Sequence, residues 1–404
     1  MNDLSPSHQL PPLRLKKNED RRLRAGHLWV FSNEVDAART PLTGFEPGQP
    51  VELQASNGRS LGSAYVNPHS LICARLVSRD AAHPLGESLL VHRLQVALSL
   101  RERVYAQPCY RLVYGESDGL PGLVVDRFDS VLVVQITTAG MERVREQIVA
   151  ALVKVLRPSA VLLRNDSPVR ELEGLTGYVE PVLGEVPAQV DLEENGVRFR
   201  AALAAGQKTG WYYDHRDNRA RLARYVSGRR VLDVFSYIGA WGVQAAVAGA
   251  AEVVCVDGSR TALDQLAANA RLNGVAGRVH GERADAFDVL KSLREARERF
   301  DVVVLDPPAF IKRRKDVKEG VEAYRRLNQL AMRVLSRDGI LVSASCSFHL
   351  QRAELQRLVL QSARHLDRNV LLLEQGGQGP DHPVHPAIPE TDYLKALITR
   401  VLPA

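Results

Sequence analysis

Residues 230–257 read RVLDVFSYIGAWGVQAAVAGAAEVVCVD. The first six, Arg230–Phe235, form an apolar, β-branched run, Ala240–Ala248 a stretch of small helix formers, and Glu252–Asp257 a second β-branched run. That grammar is strand, helix, strand. Outward from it the alternation continues, with strands expected at Arg278–Ala284, Phe300–Asp306, Gly339–Ser345, Asn369–Glu374 and Tyr393–Val401. Helices fit between them at Arg260–Asn273, Phe287–Glu298, Tyr324–Leu335 and Leu350–His365. Strands too apolar for a solvated face, alternating with amphipathic helices, imply an α/β fold: a doubly wound, Rossmann-like, mainly parallel sheet of seven strands. A hairpin precedes it, Val190–Glu193 and Val197–Ala201 about an Asn195-Gly196 turn.

Upstream the pattern differs. Short strands at Leu28–Phe31, Pro50–Gln54, Leu61–Val66 and Leu71–Leu76, broken by Gly58, Gly62 and Pro68, predict a small all-β unit. A helix over Gly86–Pro108, strands at Arg111–Tyr114, Leu123–Arg127 and Val131–Thr137, a helix over Glu142–Leu156 and a strand at Ala160–Arg164 predict a central α+β unit. The domains expected are therefore 1–80, 86–188 and 189–404. A length of 404 residues agrees with two or three domains at roughly 150 residues each.

Composition removes whole classes. With 45% hydrophobic and 25% charged residues the chain is no disordered polymer. No run approaches the ~20 apolar residues of a membrane span, and Met1–Leu10 is polar with no apolar core, so neither a membrane protein nor a secretory signal is expected and the location reads as cytoplasmic. Cys73, Cys109, Cys255 and Cys346 have no paired or CxxC spacing, which argues against a disulfide framework and against zinc. His349, His382 and His385 show no ligand spacing, and no metal is expected. A net charge of +6 points to an anionic partner, nucleic acid being the commonest. At the start, Arg14, Lys16, Lys17, Arg21, Arg22 and Arg24 stand beside Trp29 and Phe31, a composition suited to phosphate contact and base stacking, although both rings also suit a core.

In such sheets ligands bind beyond the carboxyl ends of the strands. Acidic residues stand at four of those ends: Asp233, Asp257, Asp285 and Asp306. A carboxylate after the second strand can accept both hydroxyls of a ribose, the competing reading of Asp257 being a helix N-cap. The loop after the first strand is not G-x-G-x-x-G and no Walker motif is present, so a nucleoside cofactor without a diphosphate is expected, S-adenosylmethionine. Asp306-Pro-Pro-Ala-Phe310 fixes an extended chain after the fourth strand, holding Asp306, Pro307 and Pro308 at the pocket mouth with Phe310 available to flank a planar base. Lys312-Arg313-Arg-Lys follows, a solvated charge run or a contact to RNA phosphates. Cys255 and Cys73 sit within apolar strands and read as core, whereas Cys346 lies between Ser345 and Ser347 at a strand end.

Gly206-Gln-Lys-Thr-Gly-Trp-Tyr-Tyr-Asp-His-Arg-Asp217, Asp233-Val-Phe-Ser-Tyr-Ile-Gly239, Asp306-Pro-Pro-Ala-Phe310, Ser345-Cys-Ser347 and Asp381-His-Pro-Val384 resemble the bacterial 23S ribosomal RNA 5-methylcytosine methyltransferases over nearly the whole chain. The resemblance implies a PUA-like RNA-binding domain at 1–80, a central domain and a class I methyltransferase domain. It implies Cys346 as nucleophile and Asp306 as partner of the target base. Around the cofactor it implies Gln207, Lys208, Thr209, Asp233, Phe235, Tyr237, Gly239, Asp257, Ser259, Asp285, Ala286 and Asp306. On the substrate side it implies Pro307, Pro308, Phe310, Lys312, Arg313 and His382. The partner would be 23S ribosomal RNA, free or in a precursor particle, with a homodimer as one arrangement of the chain.

The chemistry asks for such residues. Carbon 5 of cytosine is a weak nucleophile until a thiolate adds to carbon 6. A thiol near pKa ~8.5 is only a few per cent ionised at neutral pH, so Cys346 needs an electropositive pocket. The base that removes the carbon-5 proton is not identified by the sequence. Two other functions fit parts of the pattern: an rRNA guanine methyltransferase of similar fold, which needs no thiol, and a non-catalytic RNA-binding or assembly factor.

Overall fold

Seven strands lie in the C-terminal half, and the central ones are Val-, Leu- and Ile-rich runs that are stable only when both faces are covered, whereas the two edge strands are largely exposed. The seven are β1 (Arg230–Val234), β2 (Glu252–Asp257), β3 (Val279–Arg283), β4 (Phe300–Leu305), β5 (Leu335–Ser345), β6 (Arg368–Gly376) and β7 (Lys395–Pro403). The structure, a computed structural model, describes residues 10–203 and 209–404. Among them these strands form one sheet in the order β3-β2-β1-β4-β5-β7-β6. β1 to β5 run parallel and β7 lies antiparallel between β5 and β6. The expected doubly wound sheet is therefore present, and the strand order reverses at β1, beside β4.

Five helices alternate with the strands: α1 (Ala240–Val247), α2 (Arg260–Leu272), α3 (Ala286–Glu295), α4 (Val317–Val334) and α5 (Arg352–Arg364). Leu290 of α3, Leu327 of α4 and Leu355 of α5 join Leu232, Val303 and Leu341 of the sheet in one buried core. The hairpin Gln189–Glu194 and Val197–Ala202 is held to the same unit by Glu194, whose buried carboxylate takes two bonds from Arg219, at 2.6 and 2.9 Å, and one from Gln244 at 2.9 Å.

One departure from the expected elements has a local cause. α4 begins at Val317 rather than Tyr324, because its first turns are charged and contain Gly320. That glycine is a contact requirement, since a Cβ there would lie 2.3 Å from Ile311 Cγ1 and 3.0 Å from the Phe310 carbonyl oxygen. The same logic places Gly242 in α1, where a Cβ would lie 2.3 Å from Cys255 Sγ. Cys255 and Cys73 are core residues, as expected.

The first part of the chain carries two further sheets and two further cores. One sheet joins Pro12–Arg14, Trp29–Val30, Gln49–Gln54, Ser60–Val66 and Ala74–Ser78 around Leu13, Val51, Leu53 and Val66. The other joins Cys109–Tyr114, Leu123–Phe128, Val131–Ile136, Ala160–Asn165 and Tyr178–Leu183, with helices Glu87–Val104 and Arg145–Leu156 packed on Leu112, Val125 and Val134. Tyr178–Leu183 was not expected as a strand because Pro181 interrupts it; it lies at the sheet edge, where a missing N–H is tolerated. The helix expected over Glu142–Leu156 is divided at Val144.

The chain makes two compact units, and they are not consecutive. The first holds residues 1–188, 203–211 and 380–391; the second holds 189–202, 212–379 and 392–404. Two stretches of the expected 189–404 domain thus fold with the first unit. Among the described residues no helix is long and apolar enough to cross a membrane.

Gly242→Ala is expected to destabilise the second unit by about 1–3 kcal/mol through overpacking. In a double-mutant cycle measured by urea denaturation, Cys255→Ala should restore part of that loss by removing the sulfur the new methyl group strikes.

Candidate active site

The tips of β4 and β5 are neighbours, with Leu305 opposite Ser343 in the parallel ladder. Beyond those residues the chain leaves the sheet, as Asp306-Pro-Pro on one side and Ser345-Cys-Ser on the other. Hydroxyl groups then take over from the ladder. Ser345 Oγ donates to Tyr324 Oη at 2.9 Å, and Tyr324 Oη lies 2.9 Å from Ser347 Oγ. Ser347 Oγ accepts the Ile311 N–H at 3.2 Å, while the Ser347 N–H returns to Ser345 Oγ at 3.1 Å. All three hydroxyl residues are buried, and Cys346 between them is half-buried. The serines flanking the cysteine are structural anchors. Cys73, Cys109 and Cys255 are buried, and burial pushes the Cys73 thiol up to about 12, so among the described residues Cys346 is the thiol open to a reagent.

Asp306, with a side chain 24% exposed, is framed by two groups the sequence reading did not single out. Its Oδ2 accepts Trp241 Nε1–H at 3.1 Å, and its Oδ1 lies 3.1 Å from Nε2 of the buried His215, an ion-pair distance somewhat off the ideal hydrogen-bond line. Burial works to discharge His215, but the charge and contact of Asp306, together with the charge of Asp214, outweigh it and raise the imidazole above its ordinary 6.5. Burial likewise works to protonate Asp306, and the His215 charge together with the Trp241 bond holds its carboxyl below the usual range. Tyr212 stands nearby, its ring edge-on to Tyr237 at 5.6 Å, and burial raises its hydroxyl, with Asp214, Asp306 and Cys346 adding to the effect.

Lys395 is the third group that sequence reasoning missed. It sits opposite Ser345 in the β5–β7 pairing and is buried, with Nζ donating to the carbonyls of Ser347 at 2.6 Å and Tyr393 at 2.8 Å. Burial lowers it to about 8, against the opposing pull of Asp392 and Cys346. A lone lysine opening an apolar strand, Leu394-Lys-Ala-Leu-Ile398, was its sequence signal.

At the switch point the loop after β1 takes left-handed backbone at Phe235, Tyr237 and Gly239. Tyr237 N–H donates to Asp257 Oδ2 at 2.9 Å, and Ser259 N–H donates to Asp257 Oδ1 at 2.8 Å. The N-cap of α2 is Ser259, which accepts from Ala262 N–H, so the capping alternative for Asp257 does not hold. Each carboxylate oxygen of Asp257 keeps a lone-pair site, which fits a ribose diol. Asp233 is fully buried in β1: Oδ2 accepts Gly242 N–H at 2.9 Å, and among the described residues Oδ1 meets no donor. Burial, aided by the charges of Asp306 and Asp257, pushes its carboxyl up to about 8. Asp285 caps α3 through Phe287 and Asp288 N–H, with Ala286 buried behind it.

Residues 175–398 match the S-adenosylmethionine-dependent methyltransferase family, and residues 13–79 match the PUA-like domain. The chain is 37% identical to ribosomal RNA large subunit methyltransferase I of Shewanella frigidimarina over 96% of its length and 99% of that protein's. The namesake of Erwinia tasmaniensis is 36% identical over 96% of this chain and 98% of its own. The chain belongs to this family of S-adenosylmethionine-dependent methyltransferases. The fold of the methyltransferase is also that of SMU.776 complexed with SAH, at TM-score 0.83 and 21% identity over 97% of this chain and 100% of that one. Its cofactor is S-adenosylmethionine, and the left-handed loop, the two-oxygen acceptor at Asp257 and the orphaned Asp233 oxygen fit such a group.

Other expected site residues lie elsewhere or do other work. Gln207 and Lys208 fall outside the described residues. Thr209 and His382 are buried in the first unit, Thr209 Oγ1 bonded to Asp126 and His382 Nδ1 2.9 Å from Asp381 Oδ1. The half-buried Phe310 ring packs on Tyr324 at 4.8 Å and faces Phe287 at 6.3 Å, at the edge of the core. Pro307 is buried and Pro308 exposed, as are Lys312 and Arg313, the latter paired with Asp316 at 3.3 Å.

Tyr324→Phe keeps the ring and removes the hydroxyl that links the two serines. It should cost ~1–2 kcal/mol in urea denaturation and speed iodoacetamide alkylation of Cys346 as its loop loosens. Asp233 gives a pH signature. Its folded pKa is raised from 3.8 to about 8, so its contribution to stability is complete below the lower value and is lost as pH rises toward the higher. Unfolding measured across that range should show wild type losing stability relative to Asp233→Asn, which cannot ionise.

Proposed function

We propose that this methyltransferase methylates carbon 5 of a cytosine in 23S ribosomal RNA through a covalent adduct with Cys346. The observation that carries the reading is a half-buried thiol at the β5 tip, pinned through Ser347 and Ile311 to the loop that carries Asp306. The relatives' name supports large-subunit ribosomal RNA as the substrate, and the net charge of +6 and the PUA-like domain agree with an RNA partner.

Bound S-adenosylmethionine supplies an electrophilic methyl group. Asp257 and the loop 235–239 hold its nucleoside portion, Asp257 accepting the ribose hydroxyls. Buried Lys395, bonded to the Ser347 carbonyl, supplies the positive potential that favours the Cys346 thiolate. The thiolate forms a bond to carbon 6, and the electron pair of the 5,6 double bond moves into the ring toward carbon 5. Carbon 5 would take the methyl group as its bond to the sulfonium sulfur breaks, leaving S-adenosylhomocysteine; the carbon-5 proton then passes to a base, and the released pair reforms the 5,6 double bond as the bond from carbon 6 to the Cys346 sulfur breaks. Asp306 binds the exocyclic amine while this occurs. Lys312 and Arg313, both exposed, neutralise backbone phosphates of the RNA.

Cys346→Ala should abolish 5-methylcytosine formation while calorimetric titration shows S-adenosylmethionine binding retained. Nucleoside mass spectrometry of 23S RNA from cells with and without the gene reads the product. Unchanged methylation in the variant would overturn the thiol mechanism, and a methylated guanine in place of 5-methylcytosine would assign the chain to nitrogen chemistry. A wild-type protein that binds no cofactor would make it an RNA-binding factor.

A further inference from the structure

Thiol addition to carbon 6 followed by methylation at carbon 5 works equally well on uracil, so the thiol cannot choose the base. The two pyrimidines differ at position 3, a bare nitrogen in cytosine and an N–H in uracil, and at position 4, an amine in cytosine and a carbonyl oxygen in uracil. A group that meets position 4 can therefore carry the choice, and there a group that only accepts hydrogen bonds selects the amine.

Asp306 is built to be such a group. Each oxygen already faces one N–H position, Trp241 Nε1 on Oδ2 and His215 Nε2 on Oδ1, both at 3.1 Å. Each oxygen keeps one lone-pair site for the base, and the two N–H partners favour the charged carboxylate over the acid, because both donate more strongly to an anion. The imidazole is itself oriented from behind. Asn218, buried, donates from Nδ2 to the Gly377 carbonyl at 2.9 Å, and the same Nδ2 lies 3.1 Å from His215 Nδ1. Turning the amide over would set its oxygen against the Gly377 carbonyl. Nδ1 therefore accepts, and the proton of the neutral ring sits on Nε2, beside Asp306. Other charges around the pair are Asp214 and Arg219 toward His215, and Asp233 toward Asp306.

We propose that His215, seconded by Trp241, fixes Asp306 as a pure acceptor and thereby makes the enzyme select cytosine over uracil. This rests on the carbon-5 reading above. His215 is a positioning residue, acting through Asp306 and not on the base. A uracil carbonyl would meet a carboxylate lone pair with no proton between them, and leaving such a buried pair unsatisfied is heavily penalised.

Two measurements test the inference. In ¹⁵N-histidine-labelled full-length protein, ¹H–¹⁵N correlation spectra should show His215 protonated at Nε2 in the neutral form, and a proton on Nδ1 would overturn the assignment. For the function, wild type, His215→Gln, His215→Leu and Trp241→Phe are incubated with 23S RNA from cells lacking the gene, and 5-methylcytidine and 5-methyluridine are counted. Gln keeps an N–H for Asp306 and should retain the cytosine preference. Leu removes it, and the ratio of 5-methylcytidine to 5-methyluridine should fall about tenfold or more, as loss of one hydrogen bond to a charged group implies. Trp241→Phe should move the ratio the same way by less. Wild type that makes 5-methylcytidine, with Leu and Gln variants at the wild-type ratio, sinks this proposal alone. Wild type that makes neither product sinks the carbon-5 reading itself. Should His215→Leu fail to fold, the Trp241→Phe ratio and the wild-type spectrum still decide.

Discussion

A single phenol hydroxyl holds the two working loops together. Where β4 and β5 end, backbone pairing stops, and nothing in the sheet obliges the segments beyond to stay in step. Tyr324 replaces the missing ladder with a chain of side-chain bonds from Ser345 through its own oxygen to Ser347, and from there to the Ile311 N–H. Each bond adds about 1 kcal/mol net, yet breaking one strands a buried hydroxyl, which costs more than the bond contributes. Gly320 lets α4, which carries Tyr324, approach the loop closely enough for this to happen. The half-buried thiol between the two serines is then carried on a bracket of side-chain bonds.

The second constraint is electrostatic. The switch point gathers Asp233, Asp257 and Asp306, and like charges cannot be packed there without compensation. Each is treated differently. Asp233, enclosed by the sheet and α1, is brought toward its neutral form by burial. Asp306 is matched by His215 and Trp241. Asp257 receives two backbone N–H groups from the loops it joins, Tyr237 and Ser259. The three carboxyls present three different surfaces to whatever binds.

The sheet was legible because most of its strands are apolar runs whose period and length leave little choice, and most strands lie within a residue or two of their expected bounds. Asp306 and Cys346 were legible because they lie in short local motifs at strand ends. His215, Trp241, Tyr324 and Lys395 were not, because each gains its role from a partner far away in sequence. His215 stood inside a quoted motif and still gave no sign that it would face Asp306. Phe310 is a related case: its proximity in sequence to the base loop suggested a base contact, and its half-buried ring also packs against Tyr324. The limits of the compact units were hidden for the same reason, since residues 203–211 and 380–391 carry no local mark of the company they keep.

That interleaving bears on how the molecule is made. The first unit draws residues from three stretches of chain, the last of them ending at Thr391. During synthesis, which runs from the N-terminus, the ribosome must deliver the chain through Thr391 before that unit can close. The second unit waits as well, for the strand that begins at Lys395 and fills the gap between β5 and β6. Maturation of both halves is thus deferred until the stretches 380–391 and 395–403 have been made, and a nascent chain cut short of them can complete neither.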